Sequence, residues 1–407
     1  MATIGAKEYF KGIGDIKFEG KEYRLFLASC LALITTSMTF AIRAHLENVF
    51  GPEGFGLTLT QIGNAFAPAF FGFTIAMIIG GQLVDSLGIK KIVVLAFVMH
   101  FFGIIATMMA TTESSLFWAT LLIGIGNGMV EAALNPMVAS MYDTEKTKML
   151  NRFHMWFPGG IVIGSLIGYL LIDVLQLDWR ILVATLFVPL LSYGILFFGQ
   201  NVPLTERVKL GISTSQMFSS LGKPLFLFMV LCMFLTSATE LGTNQRISSL
   251  LKDSGSNPLL VLAFINGIMA AGRVFAGDVA HRLKPSGMLL FSAIFSFVGL
   301  WLMTLTSGAM TFVSAGFFAV GITFFWPTMI SFVAENLPET GALGLSIIGG
   351  AGMFSVSLIL PLMGKLMDEN PDTAQALRTM SILPAILIVA FLGLNFYMNK
   401  KFKQTSN

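Results

Sequence analysis

Leu116–Met141 reads LFWATLLIGIGNGMVEAALNPMVASM, an apolar run interrupted by a single charge, Glu131. About 20 such residues in a helix cross the hydrocarbon core of a bilayer, so the run is a membrane-spanning helix. A charged side chain at the centre of such a helix costs roughly 2.5–3.5 kcal/mol on insertion scales. A chain keeps one only where it is paired, solvated in a cavity, or used. Asn127 and Asn135 stand four residues before and after Glu131, so the helical repeat puts all three on one face. That polar stripe on an apolar helix is the first functional pointer.

The rest of the chain has the same solvent. Its 407 residues are 55% hydrophobic and 12% charged, with 38 Phe and 41 Gly. A soluble domain carries about 25% charged residues. The net charge of +3 is too small, and its basic residues too scattered, for a nucleic-acid partner. Cys30 and Cys232 both lie in apolar runs and read as inert thiols. The polar first 24 residues offer no small-residue cleavage site, so no cleavable signal peptide is expected. Continuous apolarity predicts twelve spans, near 23–48, 60–86, 91–110, 115–142, 153–176, 180–199, 224–250, 258–283, 287–306, 309–335, 341–366 and 378–398.

Basic residues set the expected orientation. Lys7 to Arg24, Lys90 and Lys91, Lys146 to Arg152, Arg207 to Lys223, Arg282 and Lys284, and Lys400 to Lys403 all fall on one side. Only Arg180, Lys252, Lys365 and Arg378 fall on the other. By the positive-inside rule both termini are expected in the cytoplasm. The polar stretch 200–223 divides the spans into a six-helix bundle over 1–199 and another over 224–407. Thr36-Ser37-Met38-Thr39 recurs as Thr236-Ser237-Ala238-Thr239, and Gly159-Gly160 as Gly349-Gly350. Asn135-Pro136-Met137 corresponds similarly to Trp326-Pro327-Thr328. The expected fold is an all-α membrane protein of two pseudo-symmetric bundles, an architecture used for alternating-access transport with the solute near the midplane.

Gly81-Gln82-Leu83-Val84-Asp85-Ser86-Leu87-Gly88-Ile89-Lys90-Lys91 resembles the G-x-x-x-D-R-x-G-R-K loop of the major facilitator superfamily. Ser86 and Ile89 depart from the pattern. Gly272-Arg273 and Gly277-Asp278 stand at the corresponding place in the second half. The resemblance implies a gating or structural role for Asp85, Gly88, Lys90, Lys91, Arg273 and Asp278. A narrower likeness runs through Glu131-Ala132-Ala133-Leu134-Asn135-Pro136, then Leu150-Asn151-Arg152-Phe153-His154 and Gly159-Gly160. It resembles the fucose and glucose/galactose–cation symporter group, and implies ion coupling at Glu131 with His154 as a relay partner. Phe157 replaces a polar Asn of that pattern, and Arg43 stands near the place of an acidic residue in the first helix.

The other intramembrane polar groups each have two readings. Glu131 is a protonatable switch, or a carboxylate held ionised by Arg43, Arg246 or Arg273. Glu240, Asn244 and Gln245 line a solute cavity, or Glu240 and Asn244 satisfy each other at i,i+4 spacing. Arg43 and Arg246 form a clamp for a carboxylate or phosphate, or reach out to lipid headgroups; His45 and Glu47 also offer Arg43 a local ion pair. Arg273 is expected to pair with an acidic group of the second half, with Glu335 as the candidate. Trp326 is a platform for a sugar ring, or helix packing. Gly160, Gly164 and Gly168 have the small-xxx-small spacing of close helix contacts.

No metal-ligand spacing, nucleophile triad or phosphate loop appears, so neither an enzyme nor a cofactor is expected. The leading expectation is a monomeric symporter in the cytoplasmic (inner) membrane. Its partners would be lipid, a proton or sodium ion, and a small polar solute, with sugar foremost. Coupling would lie at Glu131 and His154, and solute contact at Asn127, Asn135, Glu240, Asn244, Gln245, Trp326, Arg43 and Arg246. An organic-anion or organophosphate antiporter using Arg43 and Arg246 is the alternative, followed by a drug or lipid exporter.

Overall fold

The structure is a computed structural model that describes residues 21–142, 149, 152–203, 220–337, 340–370 and 372–405. Its helices follow the expected spans. The first half holds α1 (Lys21–Phe50), α2 (Leu59–Leu87), α3 (Ile89–Met109) and α4 (Glu113–Met141). It continues with α5 (Trp156–Gly168, prolonged by a π-helical turn Tyr169–Val174) and α6 (Trp179–Ala184 and Phe187–Phe197). The second half holds α7 (Pro224–Ser237), α8 (Pro258–Val274), α9 (Ala276–Met303), α10 (Met310–Ile322 and Phe325–Asn336), α11 (Gly341–Glu369) and α12 (Thr373–Thr405). Among the described residues eleven helices are long and apolar enough to cross a membrane, and the eighth span is a shorter apolar helix, Pro258–Arg273. Lipid leaves no partner for a bare peptide group, so each run closes its backbone bonds within itself.

Local chemistry marks the ends. Thr58 caps α2, accepting from the Gln61 N–H while the Gln61 side chain accepts from the Thr58 N–H. Asn257 caps α8 ahead of Pro258. Between α2 and α3 the chain reverses at Gly88, whose φ of 88° suits glycine. The pseudo-equivalent reversal into the ninth span comes at Lys284 (φ 58°, ψ 160°), followed by Pro285.

The halves repeat one packing scheme. In the first, α1 packs on α5 and α6, and α4 on α2 and α3; in the second, α7 packs on α11, and α10 on α8 and α9. The repeat reaches single contacts. A side chain at Gly160 of α5 would strike Ser37 of α1, and one at Gly352 of α11 would strike Ser237 of α7. Glycine is required at both places for the helices to approach. The halves meet along α2–α11 and α5–α8. Gly124 and Gly128 of α4 abut α2, and Gly126 abuts His100 of α3. The glycine-rich run of α4 is therefore packing surface.

At the end carrying loop 51–58, polar side chains bind the halves together, as described below. Over their whole length α4 and α10 pack chiefly within their own halves. The stretch 204–219, inside the expected linker, lies outside the described residues.

Candidate functional site

Three polar groups sit in the core. The first joins α4 to the start of the fifth span. Asn135 Nδ2 donates to Glu131 Oε2 at 2.7 Å, and His154 Nε2 lies 2.9 Å from Asn135 Oδ1. An ionised carboxylate only accepts, which turns the amide nitrogen of Asn135 toward Glu131 and its oxygen toward His154. His154 Nε2 is then the donor, and the chain runs His154 to Asn135 to Glu131. Pro136 follows directly and cannot donate to the carbonyl one turn back, which loosens α4 at this level. Glu131 is 7% exposed, and among the described residues no arginine lies within ion-pair distance of it. Asn151 lies outside the described residues.

The second group is in the other half. Past Ser237, α7 widens into a π-helical turn, Ala238–Gly242, which carries Glu240. Such turns put more than 3.6 residues into a turn and rotate everything beyond them. Glu240 and Asn244 accordingly do not satisfy each other. Both side-chain atoms of Asn244 are buried without a partner, as are the hydroxyls of Ser237 and Thr243. Arg273 of α8 approaches Glu240 at 3.7 Å and donates through Nε to Thr323 O at 3.2 Å, where α10 is broken. Glu335, the expected partner of Arg273, is instead exposed at the end of α10. Trp326, second residue of the second segment of α10, packs toward Gly349 and Gly352 of α11, beside Ser237.

The third group ties α1 to α7 near loop 51–58. Arg246 NH1 meets Glu47 Oε1 at 2.8 Å, with both side chains 1% exposed. Arg246 NH2 also donates to Leu59 O (2.8 Å) and Leu360 O (2.7 Å). Arg43 NH1 donates to Gln245 Oε1 at 3.1 Å, and its guanidinium stacks on Phe40 and Phe70. Gln245 Nε2 donates to Phe40 O, and Ser248 to Ala44 O. Nearby, Asp368 of α11 accepts from the Leu59 and Thr60 N–H groups at the start of α2. Asn257 donates to Asp173 at 2.8 Å.

This arrangement redistributes the expected solute contacts. Arg246 is not an open anion clamp, because Glu47 and two carbonyls already occupy it. Arg43 and Gln245 are engaged with each other across the halves. Asn127 does not join Glu131: its amide donates to Thr39 Oγ1 (3.1 Å), and its oxygen meets His100 Nε2 (2.8 Å) inside the first bundle. His100 continues to the Tyr193 hydroxyl at 3.3 Å. Partners on α1 and α3, Thr39 and His100, hold Asn127 away from Glu131. Lys90 and Lys91 are exposed at the start of α3. The side chains of Asp85 and Asp278 lie outside the described set. Glu47 and Asp368 were the residues least legible in sequence, because their partners come from the other half. Among the described residues no cluster of histidine, cysteine or carboxylate could hold a metal ion.

Among the described residues, eleven membrane-length apolar helices and a shorter twelfth form two bundles of repeated packing with polar groups where they meet, the architecture of alternating-access membrane transporters. The sequence signature of the Major Facilitator Superfamily matches residues 25–358. The chain belongs to that superfamily. No curated protein sequence matches it. Solved structures of the same fold include the partially occluded, inward-open xylose transporter XylE from E. coli. That structure has a TM-score of 0.74 and 14% identity, with 91% of this chain and 98% of that chain covered. The nucleoside transporter NupG gives 0.70 at 13% identity, covering 92% and 99%. A variant of the E. coli fucose:proton symporter FucP gives 0.62 at 17%, covering 90% and 97%. At these identities the likeness is one of fold.

Proposed function

We propose that this transporter carries an uncharged, polyhydroxylated solute of the sugar class together with a proton, which Glu131 takes up and releases. The observation that carries the coupling reading is the His154–Asn135–Glu131 chain, in which a buried carboxylate is held by hydrogen bonds and, among the described residues, by no arginine. Intramembrane carboxylates of this kind mark proton relays. A proton suits the chain better than sodium. A hard cation wants several oxygens around it, whereas Asn135 offers Glu131 its nitrogen.

The solute reading rests on Asn244, whose amide has two donors and an acceptor oxygen buried without partners. Hydroxyl groups satisfy all of them, and the indole of Trp326 on the neighbouring α10 suits the C–H face of a sugar ring. Glu240 is balanced by Arg273, and Arg43 and Arg246 are already engaged, which favours a neutral solute over an anion. We assign the face with loop 51–58 to the outside and both termini to the cytoplasm, on the distribution of basic residues. In that orientation the outer side is closed. The halves 1–199 and 224–407 would rock about the site, with 200–223 as the connecting strap and one chain sufficient for transport.

The test uses purified protein in liposomes. A panel of sugars, sugar acids and sugar phosphates is screened by thermal shift at two pH values, and uptake of the hits is then driven by an imposed proton gradient. Glu131→Gln is expected to keep solute exchange and lose gradient-driven accumulation along with its pH dependence. Undiminished accumulation with unchanged pH dependence would remove Glu131 from the coupling step.

A further inference from the structure

We infer that Glu47 changes partner during the transport cycle. It holds Arg246 of the opposite half while the face with loop 51–58 is closed, and takes Arg43 of its own helix when that face opens. This rests on the transporter reading of the two halves, and on neither the sugar nor the proton assignment.

The closed arrangement is lopsided. Glu47 Oε1 receives both Arg246 NH1, at 2.8 Å, and Ser249 Oγ, at 2.5 Å, while Oε2 has no partner. Among the described residues, every donor to the carboxylate therefore comes from the chain just beyond α7. Among the described residues Arg43 is a buried cation without a carboxylate: it donates a hydrogen bond to Gln245, on that same segment, and its guanidinium lies over the Phe40 and Phe70 rings. When the halves separate at this end, Gln245, Arg246 and Ser249 leave together. A cation and an anion then remain on α1, both stripped of their partners at once.

Arg43 and Glu47 are four residues apart on one continuous helix, where side chains meet at about 5–6 Å between their Cβ atoms. Both already point at the same neighbour, so they share a face. Leaving either one unpaired in a partly buried site is strongly unfavourable, because a lone charge keeps its desolvation cost and loses its compensation. The pair within α1 removes both defects with side-chain rotations alone. Arg246, carried away on the other half, meets water in the opened vestibule. Each state then satisfies Glu47, and Arg43 serves as a positioning residue that keeps the open state within reach. Without Arg43 the opened face would hold an orphan carboxylate.

The test is a distance measurement that needs neither solute nor gradient, so its failure is separate from failure of the coupling or sugar reading. Spin labels go on Glu53→Cys and Asp253→Cys, exposed positions on the two halves of this face, with Cys30→Ser and Cys232→Ser. Arg246→Gln is expected to raise the long-distance population about tenfold, since it strips the closed pair and the bond to Leu59 O while leaving the Arg43–Glu47 pair of the open state available. Arg43→Gln is expected to lower that population by a similar factor. The exchange Glu47→Arg with Arg246→Glu rebuilds the closed pair but leaves two cations one turn apart on α1, so it should stay closed like Arg43→Gln. Arg43→Lys keeps the charge and should return the population toward the native value. If Arg43→Gln opens the face as Arg246→Gln does, or leaves it unchanged, the exchange of partners is wrong. Should Arg43→Gln not fold, the charge exchange decides alone: a native long-distance population overturns the inference.

Discussion

Two asparagines of the same helical stripe logic have opposite situations. Asn127 has a partner at both ends of its amide inside the first bundle, Thr39 and His100. Asn244 has none. Truncating a satisfied buried amide leaves its former partners bare and costs about 1–3 kcal/mol. Asn127→Ala should therefore lower the melting temperature of the purified protein without a selective change in solute affinity. Asn244→Ala removes an unsatisfied group, so the melting temperature should hold or rise while solute binding weakens by about tenfold or more, the loss of one or two hydrogen bonds. Equal destabilisation by both would deny Asn244 a ligand role. Asn135→Leu tests the neighbouring chain. It separates His154 from Glu131, and uptake driven by a proton gradient should fall further than exchange at equal pH. The stripe at 127, 131 and 135 was legible from spacing alone, but only Glu131 and Asn135 share a bond. Spacing limits which faces a side chain can take and does not choose its neighbour.

Helices act here through their irregularities. The π-helical turn at Ala238–Gly242 delivers Glu240 to Arg273 and lets Gln245 and Arg246 reach α1. No residue type in ATELG announces that turn, and an ideal helix would have put Asn244 beside Glu240. The glycines of helix contacts were easier to read, since small residues recur wherever helices touch. Gly352→Val should abolish transport. A Cβ there would lie 2.6 Å from Ser237 Oγ and 2.9 Å from the Trp326 indole, so the branched side chain overpacks the α7–α11 contact. Gly267→Ala on α8 is the matched control, with nothing within 4 Å of the new methyl. Uptake by the control at near-native rates, beside a dead Gly352→Val, would tie the loss to the α7–α11 contact. Loss in both would point to general damage.

At the scale of the molecule, one end is stitched by Arg246–Glu47, Arg43–Gln245, Asp368 on the start of α2, and Asn257–Asp173. Linking Asp173→Cys to Asn257→Cys with a short thiol-cleavable bridge should stop uptake, and a reductant should restore it. Uptake that continues through the bridge would mean this end need not open. The membrane class, the all-α fold and the succession of apolar spans followed from the sequence alone. They depend on run length, polarity and repeat spacing, which are properties of neighbouring residues. Which charge meets which was decided only in the folded chain. Glu131 had three arginines as rival partners and is paired with none of them among the described residues; Arg273 chose Glu240, and Arg246 chose Glu47. Those choices join helices hundreds of residues apart in some cases and adjacent in others. They turn on the rotation of each helix about its axis, which packing settles and local sequence does not.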